Sequence, residues 1–252
     1  MSSIGTGYDL QASTFSPDGR IFQVEYAQKA VDGGVTAVGL VGRDCAVVAV
    51  EKAVPSVLLV AGACPRVLTL ARRFGFCSGG LYCDAVALLD EGRDHVAKYR
   101  KEHFEDPSVK KITDELAQYV HYLTLTVHRP FGCSVFLTSW DKKSGPHLHL
   151  VEPSGMSLEY RAWAIGKQRQ AAKTEIEKLS KLGELDAEQL VREAARILLS
   201  VREEGNEKQY RLEIGLVGAA TDGLHRALTD AEVEAASTWA REKIDADEET
   251  VD

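Results

Sequence analysis

The sequence predicts an α/β protein of four layers, helix–sheet–sheet–helix, in which two antiparallel sheets pack face to face. Three observations carry this fold class. Strand-like and helix-like segments alternate in blocks: strands, two helices, strands, two helices, strands, one helix. No linker and no repeat of 20–50 residues interrupts them. Strand candidates 35–41 and 45–50 are apolar at nearly every position, so both faces should be covered. The helix candidates carry one apolar stripe each, enough to cover a sheet from outside.

Ser16-Pro17-Asp18-Gly19 suits a type I turn, with proline presetting φ at its second position. A helix follows over 20–31, with Phe22, Tyr26 and Ala30 on one row and Val24, Ala27 and Val31 beside it. Asp32-Gly33-Gly34 stops it, glycine being the residue that most readily takes a left-handed cap. Gly42-Arg43-Asp44 joins the two apolar strands as a hairpin. Residues 57–60, 67–70 and 74–78 read as shorter strands. Leu81, Ala85, Leu88, Leu89, Val96 and Tyr99 mark one helix, and Ile112, Leu116, Tyr119, Val120, Leu123 and Val127 the next. Strands resume at 133–140, 147–151 and 156–164; in the last, Met156, Leu158, Tyr160 and Ala162 alternate with polar residues. A helix spans about 168–182. Another starts at Asp186, with Gln189 as its capping partner, and carries Leu190, Ala194, Ile197 and Val201. Residues 210–218 alternate again, Asp222-Gly223 turns, and Thr229 with Glu232 caps a last helix through Lys243. One domain is expected over 1–244, with a tail at 1–12. Residues 245–252 are acidic and expected to be disordered.

The 252 residues carry a net charge of −8, which argues against a nucleic-acid binder. Residues 47–63, the most apolar stretch, are broken by Glu51, Lys52 and Pro55, so no membrane span is expected. The opening MSSIGTGYD has no basic region followed by an apolar run, so no secretory signal is expected. Five cysteines without a paired motif fit reduced thiols in the cytoplasm or nucleus.

Candidate chemistry is sparse. Cys133 with His121 or His128 offers a nucleophile and base, but a strand cysteine is more simply a small core residue. His147 and His149 share a strand face, without a cysteine or carboxylate at telling spacing. Cys77 and Cys83 are too far apart for a zinc knuckle. No phosphate-binding glycine motif is present, and neither cofactor nor metal is expected. Residues 91–94 and Glu175, Glu177, Lys178 and Lys181 read as solvated helix faces. One constellation carries more weight. An apolar strand opening on Thr36, a hairpin, and then Glu51 is how an N-terminal-nucleophile hydrolase begins. There the free α-amine of a terminal threonine acts as base.

S-T-F-S-P-D-G-R-I-F-Q-V-E-Y-A (13–27) resembles the signature of proteasome α subunits. R-P-F-G-C-S (129–134), E-P-S-G (152–155) and A-I-G-K-Q-R-Q-A-A-K-T-E-I-E-K-L (164–179) agree with it. The resemblance covers nearly the whole chain. Within the family, G-T-G-Y-D-L and R-Q-A-A-K-T-E-I-E-K are most like the eukaryotic branch called seventh, or type 3. It implies the same four-layer fold, that of the N-terminal-nucleophile hydrolases, with an extra N-terminal helix lying across the cleft that is the active site in β subunits. It implies a non-catalytic structural subunit of the outer α ring of the 20S particle, in ubiquitin-dependent protein degradation. The partners would be other α subunits in a ring of seven, the β subunits, and a regulatory particle or other activators. No nucleic acid or membrane is implied.

By the same resemblance Tyr8, Asp9, Pro17 and Tyr26 belong to the cluster that organises the gate formed by the N-terminal tails. Many α subunits carry arginine after Tyr-Asp; here Leu10 removes that salt bridge. The pocket that takes an activator's C-terminal carboxylate usually offers a lysine, and Arg66 falls at its place, with a different hydrogen-bond geometry. The alternative function is an active threonine hydrolase with Thr36 as nucleophile. Against it, Val35 rather than glycine precedes Thr36, and aligning Glu51 with the β-type acid puts Val35 at the nucleophile position.

Overall fold

A computed structural model describes residues 7–54, 56, 58–60, 62–126, 128–202 and 209–249. The elements are α1 (Phe22–Asp32), β1 (Ala37–Val41), β2 (Cys45–Val54), β3 (Val67–Ala71), β4 (Phe74–Gly80), α2 (Tyr82–His103), α3 (Val109–Thr124), β5 (Cys133–Asp141), β6 (Gly145–Val151), β7 (Ser157–Glu159), β8 (Ala162–Ile165), α4 (Arg169–Glu177), α5 (Ala187–Ser200), β9 (Gln209–Gly218), β10 (Arg226–Ala227) and α6 (Asp230–Glu249). Two five-stranded sheets form, in the orders β10-β9-β2-β1-β8 and β3-β4-β5-β6-β7, and the paired strands are antiparallel. Val48, Val50, Cys77, Phe136, Leu148 and Leu150 fill the space between them. Helices α2 and α3 cover the second sheet through Leu88, Leu89, Ile112 and Leu116. Helix α5 covers the first through Leu190, Ala194 and Ile197, with α4 beside it and α6 packed on α5. This is the expected four-layer αββα sandwich with an extra N-terminal helix.

Local signals place the element ends. Asp186 Oδ1 accepts from the Gln189 amide at 2.9 Å while Gln189 Oε1 accepts from the Asp186 amide at 3.1 Å, a reciprocal capping box. Thr229 and Glu232 form the corresponding pair before α6.

Five expectations need correction. Residues 58–60 form no strand but a loop with Leu58 90% exposed; Val57 lies outside the described residues. The single strand expected over 156–164 is two. β7 pairs with β6 in one sheet and β8 with β1 in the other, the chain crossing between sheets at Tyr160-Arg161. Met156 and Leu158 are consequently surface residues. Helix α4 ends at Glu177, before a 3-10 turn at Leu182–Glu184. Gly33 is right-handed (φ −87°); what demands glycine is the next position, where a Cβ on Gly34 would lie 2.8 Å from the Gly80 nitrogen. Finally, α6 runs past Lys243 to Glu249, so the acidic segment expected to be disordered is helical for its first five residues, 245–249. Lys243 pairs with Asp247 there at 3.0 Å, an i,i+4 contact of the kind that supports exposed helices. Residues 1–6 and 250–252, and Val127, lie outside the described residues.

Candidate gate and docking cleft

The N-terminal segment is built on the turn at Ser16. The Gly19 amide donates to the Ser16 carbonyl at 2.9 Å with Gly19 at φ +75°, and the Ser16 amide donates to the Arg20 carbonyl at 2.8 Å. Pro17 sits exposed at the second position, where its fixed φ allows one geometry. Arg20 Nε then clamps Glu25 Oε1 at 2.7 Å across the first turn of α1. Ahead of the turn, the Tyr26 hydroxyl donates to Asp9 Oδ2 at 3.3 Å, and Gln23 Nε2 donates to the Asp9 carbonyl. Burial, and then the Asp9 charge, hold the Tyr26 phenol above its ordinary pKa. Of the four expected gate residues the structure therefore joins Asp9 and Tyr26. Tyr8, 43% exposed, and Pro17 lie at the surface. Gln23 joins this contact, and sequence reasoning missed it. Its signal was there: it lies three residues before Tyr26, on the same helix face.

Behind α1 lies a cavity of about 370 Å³ lined by Gly34, Thr36, Glu51, Arg66, Gly80 and Lys167. Its walls are tied together by the backbone. The Glu51 amide donates to the Thr36 carbonyl at 3.0 Å and the Lys167 amide to the Gly34 carbonyl at 3.1 Å. Gly166 takes φ +96°, and a Cβ there would stand 2.0 Å from the Val35 oxygen. The Thr36 hydroxyl, 5% exposed, accepts from the Gln168 amide at 3.2 Å. Its nitrogen is an amide in a chain that runs on through Val35 and Gly34 to α1. Arg169 Nη1 holds Asp32 Oδ1 at 2.6 Å, fastening α4 to the end of α1.

Arg66 is half-buried in this wall. Its backbone amide donates to Glu213 Oε2 at 2.6 Å, its Nη1 donates to the Gly80 carbonyl at 2.7 Å, and its guanidinium lies 5.4 Å from the Tyr82 ring centroid. Burial holds its pKa below the ordinary arginine value. Lys167 brings a second cation to the same cavity. The motif at 164–179 contains it but gave it no role, because only the fold brings it to the same cavity as Arg66.

The other candidates resolve as structure. Cys133 is 2% exposed on β5 and burial pushes its thiol to about 12, the opposite of an activated nucleophile. His128 is exposed and contacts Thr126. His147 Nδ1 meets Glu159 Oε1 at 2.5 Å, with His149 Nε2 4.0 Å from the other oxygen. Among the described residues no group of three His, Cys, Asp or Glu is placed to hold a metal ion. Cys77 is buried and Cys83 exposed. Glu175 is not a solvated charge as expected; it pairs with Arg196 at 3.0 Å, both largely buried. Among the described residues no helix is long and apolar enough to cross a membrane.

The family described as "Proteasome subunit" matches residues 31–217, and the N-terminal signature of the proteasome's A-type subunits matches residues 8–30. The chain is 45% identical over 226 residues to a Drosophila melanogaster protein named as a proteasome alpha type-3 subunit, covering 89% of this chain and 88% of that one. It is 43% identical over 251 residues to its Spinacia oleracea namesake, with 98% and 100% covered. A Schizosaccharomyces pombe protein named as a probable proteasome alpha type-7 subunit is 38% identical over 252 residues, with 100% and 98% covered. The signature match falls on the turn, α1 and the Asp9–Tyr26 contact, and the longer match on both sheets: the chain belongs to the proteasome subunit family, and to its alpha type.

Proposed function

We propose that this chain is a non-catalytic subunit of the outer α ring of the proteasome core, and that it gates substrate passage with its N-terminal segment and helps dock activators at the Arg66 cavity. The observation that carries the non-catalytic reading is the state of Thr36. An N-terminal nucleophile needs a free amine as its base. The hydroxyl of Thr36 is held by the Gln168 amide, and its nitrogen would become a free amine only if α1, which packs on β4 and β5, were cut away. Release of a terminal Thr36 would also sever α1. Phe22 and Val31, both buried, would be lost to the core at about 3–6 kcal/mol. Val35, aligned with the nucleophile position, has no side-chain heteroatom. The ring partners are six further α-type subunits and the adjacent β subunits, and the setting is ubiquitin-dependent degradation in the cytoplasm and nucleus.

The gate reading rests on the Asp9–Tyr26–Gln23 contacts, which anchor the base of the tail to α1 while Leu10, 82% exposed, is left for neighbours. Deleting residues 1–12 should raise basal hydrolysis of small peptides by the particle about two- to five-fold, under about 1 kcal/mol on the barrier. Thermal stability should be unchanged, since Ala12 is the one core residue lost among those described. Equal rates would mean that the tail does not obstruct the pore. A fall in both rate and particle yield would make the segment an assembly element.

The docking reading rests on Arg66 and Lys167 facing one cavity at the end of α1. Arg66→Ala should weaken binding of a C-terminal carboxylate at this chain by about 1.5–3 kcal/mol, the range of a charge-assisted bond. Docking of a whole multivalent activator should suffer less, through avidity. Ring assembly should persist. Unchanged binding of an isolated C-terminal peptide at this chain would refute the assignment.

A further inference from the structure

The Arg66 cavity has a neighbour on the far side of Glu51. A second cavity, of about 420 Å³, shares Glu51 and Tyr210 as walls with the first. It lies between the ends of β2 and β9, the end of α5 and one face of α6. Its lining includes the apolar side chains Leu199, Leu212 and Val233, with the exposed Val60 at its loop side.

The charge of this groove is opposite to that of the chain. The protein carries −8. The two cavities together are lined by six cationic side chains, Lys52, Arg66, Lys167, Arg202, Arg211 and Arg241, against three acidic ones, Glu51, Asp230 and Glu234. The acids do not saturate the cations equally. Lys52 is committed to the largely buried Glu213 at 3.0 Å. Arg202 lies 4.5 Å from the Tyr210 ring centroid and 3.3 Å from Glu51, the two residues that wall both cavities. Arg211 and Arg241 have looser partners: Asp230 at 3.5 Å and Glu234 at 3.3 Å, all four side chains substantially exposed. Exposed pairs of this kind contribute little and can be exchanged for a better-placed anion. An arginine fork presents paired donors to a carboxylate, so two such residues on one apolar-floored cavity select acid over amide.

We propose that the second cavity is a specificity pocket for docking partners, in which Arg211 and Arg241 take an acidic side chain of the peptide whose terminal carboxylate enters the Arg66 cavity. The proposal rests on the docking reading above and extends it to the sequence of the partner. Arg66 is held by Glu213, and Arg211 lies two residues along β9 from Glu213, about 7 Å at the strand rise, so an extended chain reaches from one to the other in about two to three residues. The acidic residue therefore belongs about three positions before the C-terminus. The occupant is an acidic C-terminal peptide, and the net positive lining gives the charge complementarity that a near-neutral or basic tail would lack.

The test uses assembled particles and two photo-crosslinking peptides, identical except for Glu or Gln three residues before a free C-terminus. Labelling of this chain is quantified by mass spectrometry against peptide concentration. With wild-type chain the Glu peptide should label at about five-fold lower concentration than the Gln peptide. With Arg211→Ala/Arg241→Ala the two should converge on the Gln value, and with Arg211→Lys/Arg241→Lys part of the preference should return. Equal labelling by both peptides on wild-type, or an undiminished Glu preference in the double alanine variant, overturns the proposal. An amidated Glu peptide examines the docking reading by itself. Labelling that ignores amidation sinks that reading and this proposal with it. Labelling that is lost on amidation but shows no Glu preference sinks this proposal alone.

Discussion

His225 shows how much one side chain can decide. Its ring is wedged between the sheets, with Nδ1 2.8 Å from Thr69 Oγ1. A Cβ on Gly75 would stand 2.4 Å from the ring and one on Gly215 2.7 Å from it, so both strands carry glycine where the imidazole lies. Burial pushes its pKa down from 6.5 to about 4. The unfolded chain therefore takes up a proton before the folded one does. Stability is full above pH 6.5 and is lost as pH falls toward 4, by about 3 kcal/mol for this group. In His225→Gln particles the thermal midpoint should fall less steeply between pH 7 and pH 4.5 than in wild-type. Parallel slopes would contradict the assignment. None of this was legible in the sequence. No motif singles out His225, and the two glycines that make room for it lie on strands that only the fold brings to it. Asp9 and Tyr26 were legible as a motif and Gln23 by its spacing from Tyr26, whereas Lys167 was not legible as a cavity residue, because only the fold brings it to the Arg66 cavity.

At the scale of elements, the parts read correctly are those specified by neighbours in sequence. The Gly42-Arg43-Asp44 hairpin is one. The capping pair at Asp186 and Gln189 is another, and it should be separable from packing. Asp186→Ala removes the acceptor for the Gln189 amide at a cost of about 1 kcal/mol. In a domain of this size that lowers the melting temperature by about 2–4 °C. Asp186→Asn, which keeps the acceptor, should restore it, and failure to do so would mean that the charge rather than the cap matters. The misread elements have non-local causes. Alternation over 156–164 suggested one strand. The break after Glu159 comes from two separate pairings, Leu158 with Leu150 and Ala164 with Val38, which pull the chain into different sheets. At the other end, acidic composition suggested disorder over 245–252. Composition is blind to spacing, and the Lys243–Asp247 pair lies along the helix axis.

The described residues form a sandwich with α1 packed across one end. α1 packs against β4 and β5, Val31 reaches the core between the sheets, and the run 33–36 enters β1 without a break. The four layers were legible because every amphipathic element demanded a partner. That the cleft is stapled by Gly34, Gly166 and Arg169 was not, since Gly34 with Lys167, Val35 with Gly166 and Asp32 with Arg169 meet only in the fold. This architecture keeps Thr36 internal, as the proposed non-catalytic and gating role requires. The intact mass of the chain recovered from purified particles tests it most directly. The full 27.6 kDa chain is expected, allowing loss of Met1 and acetylation of Ser2, in a large assembly. A mature species beginning at Thr36 would contradict it.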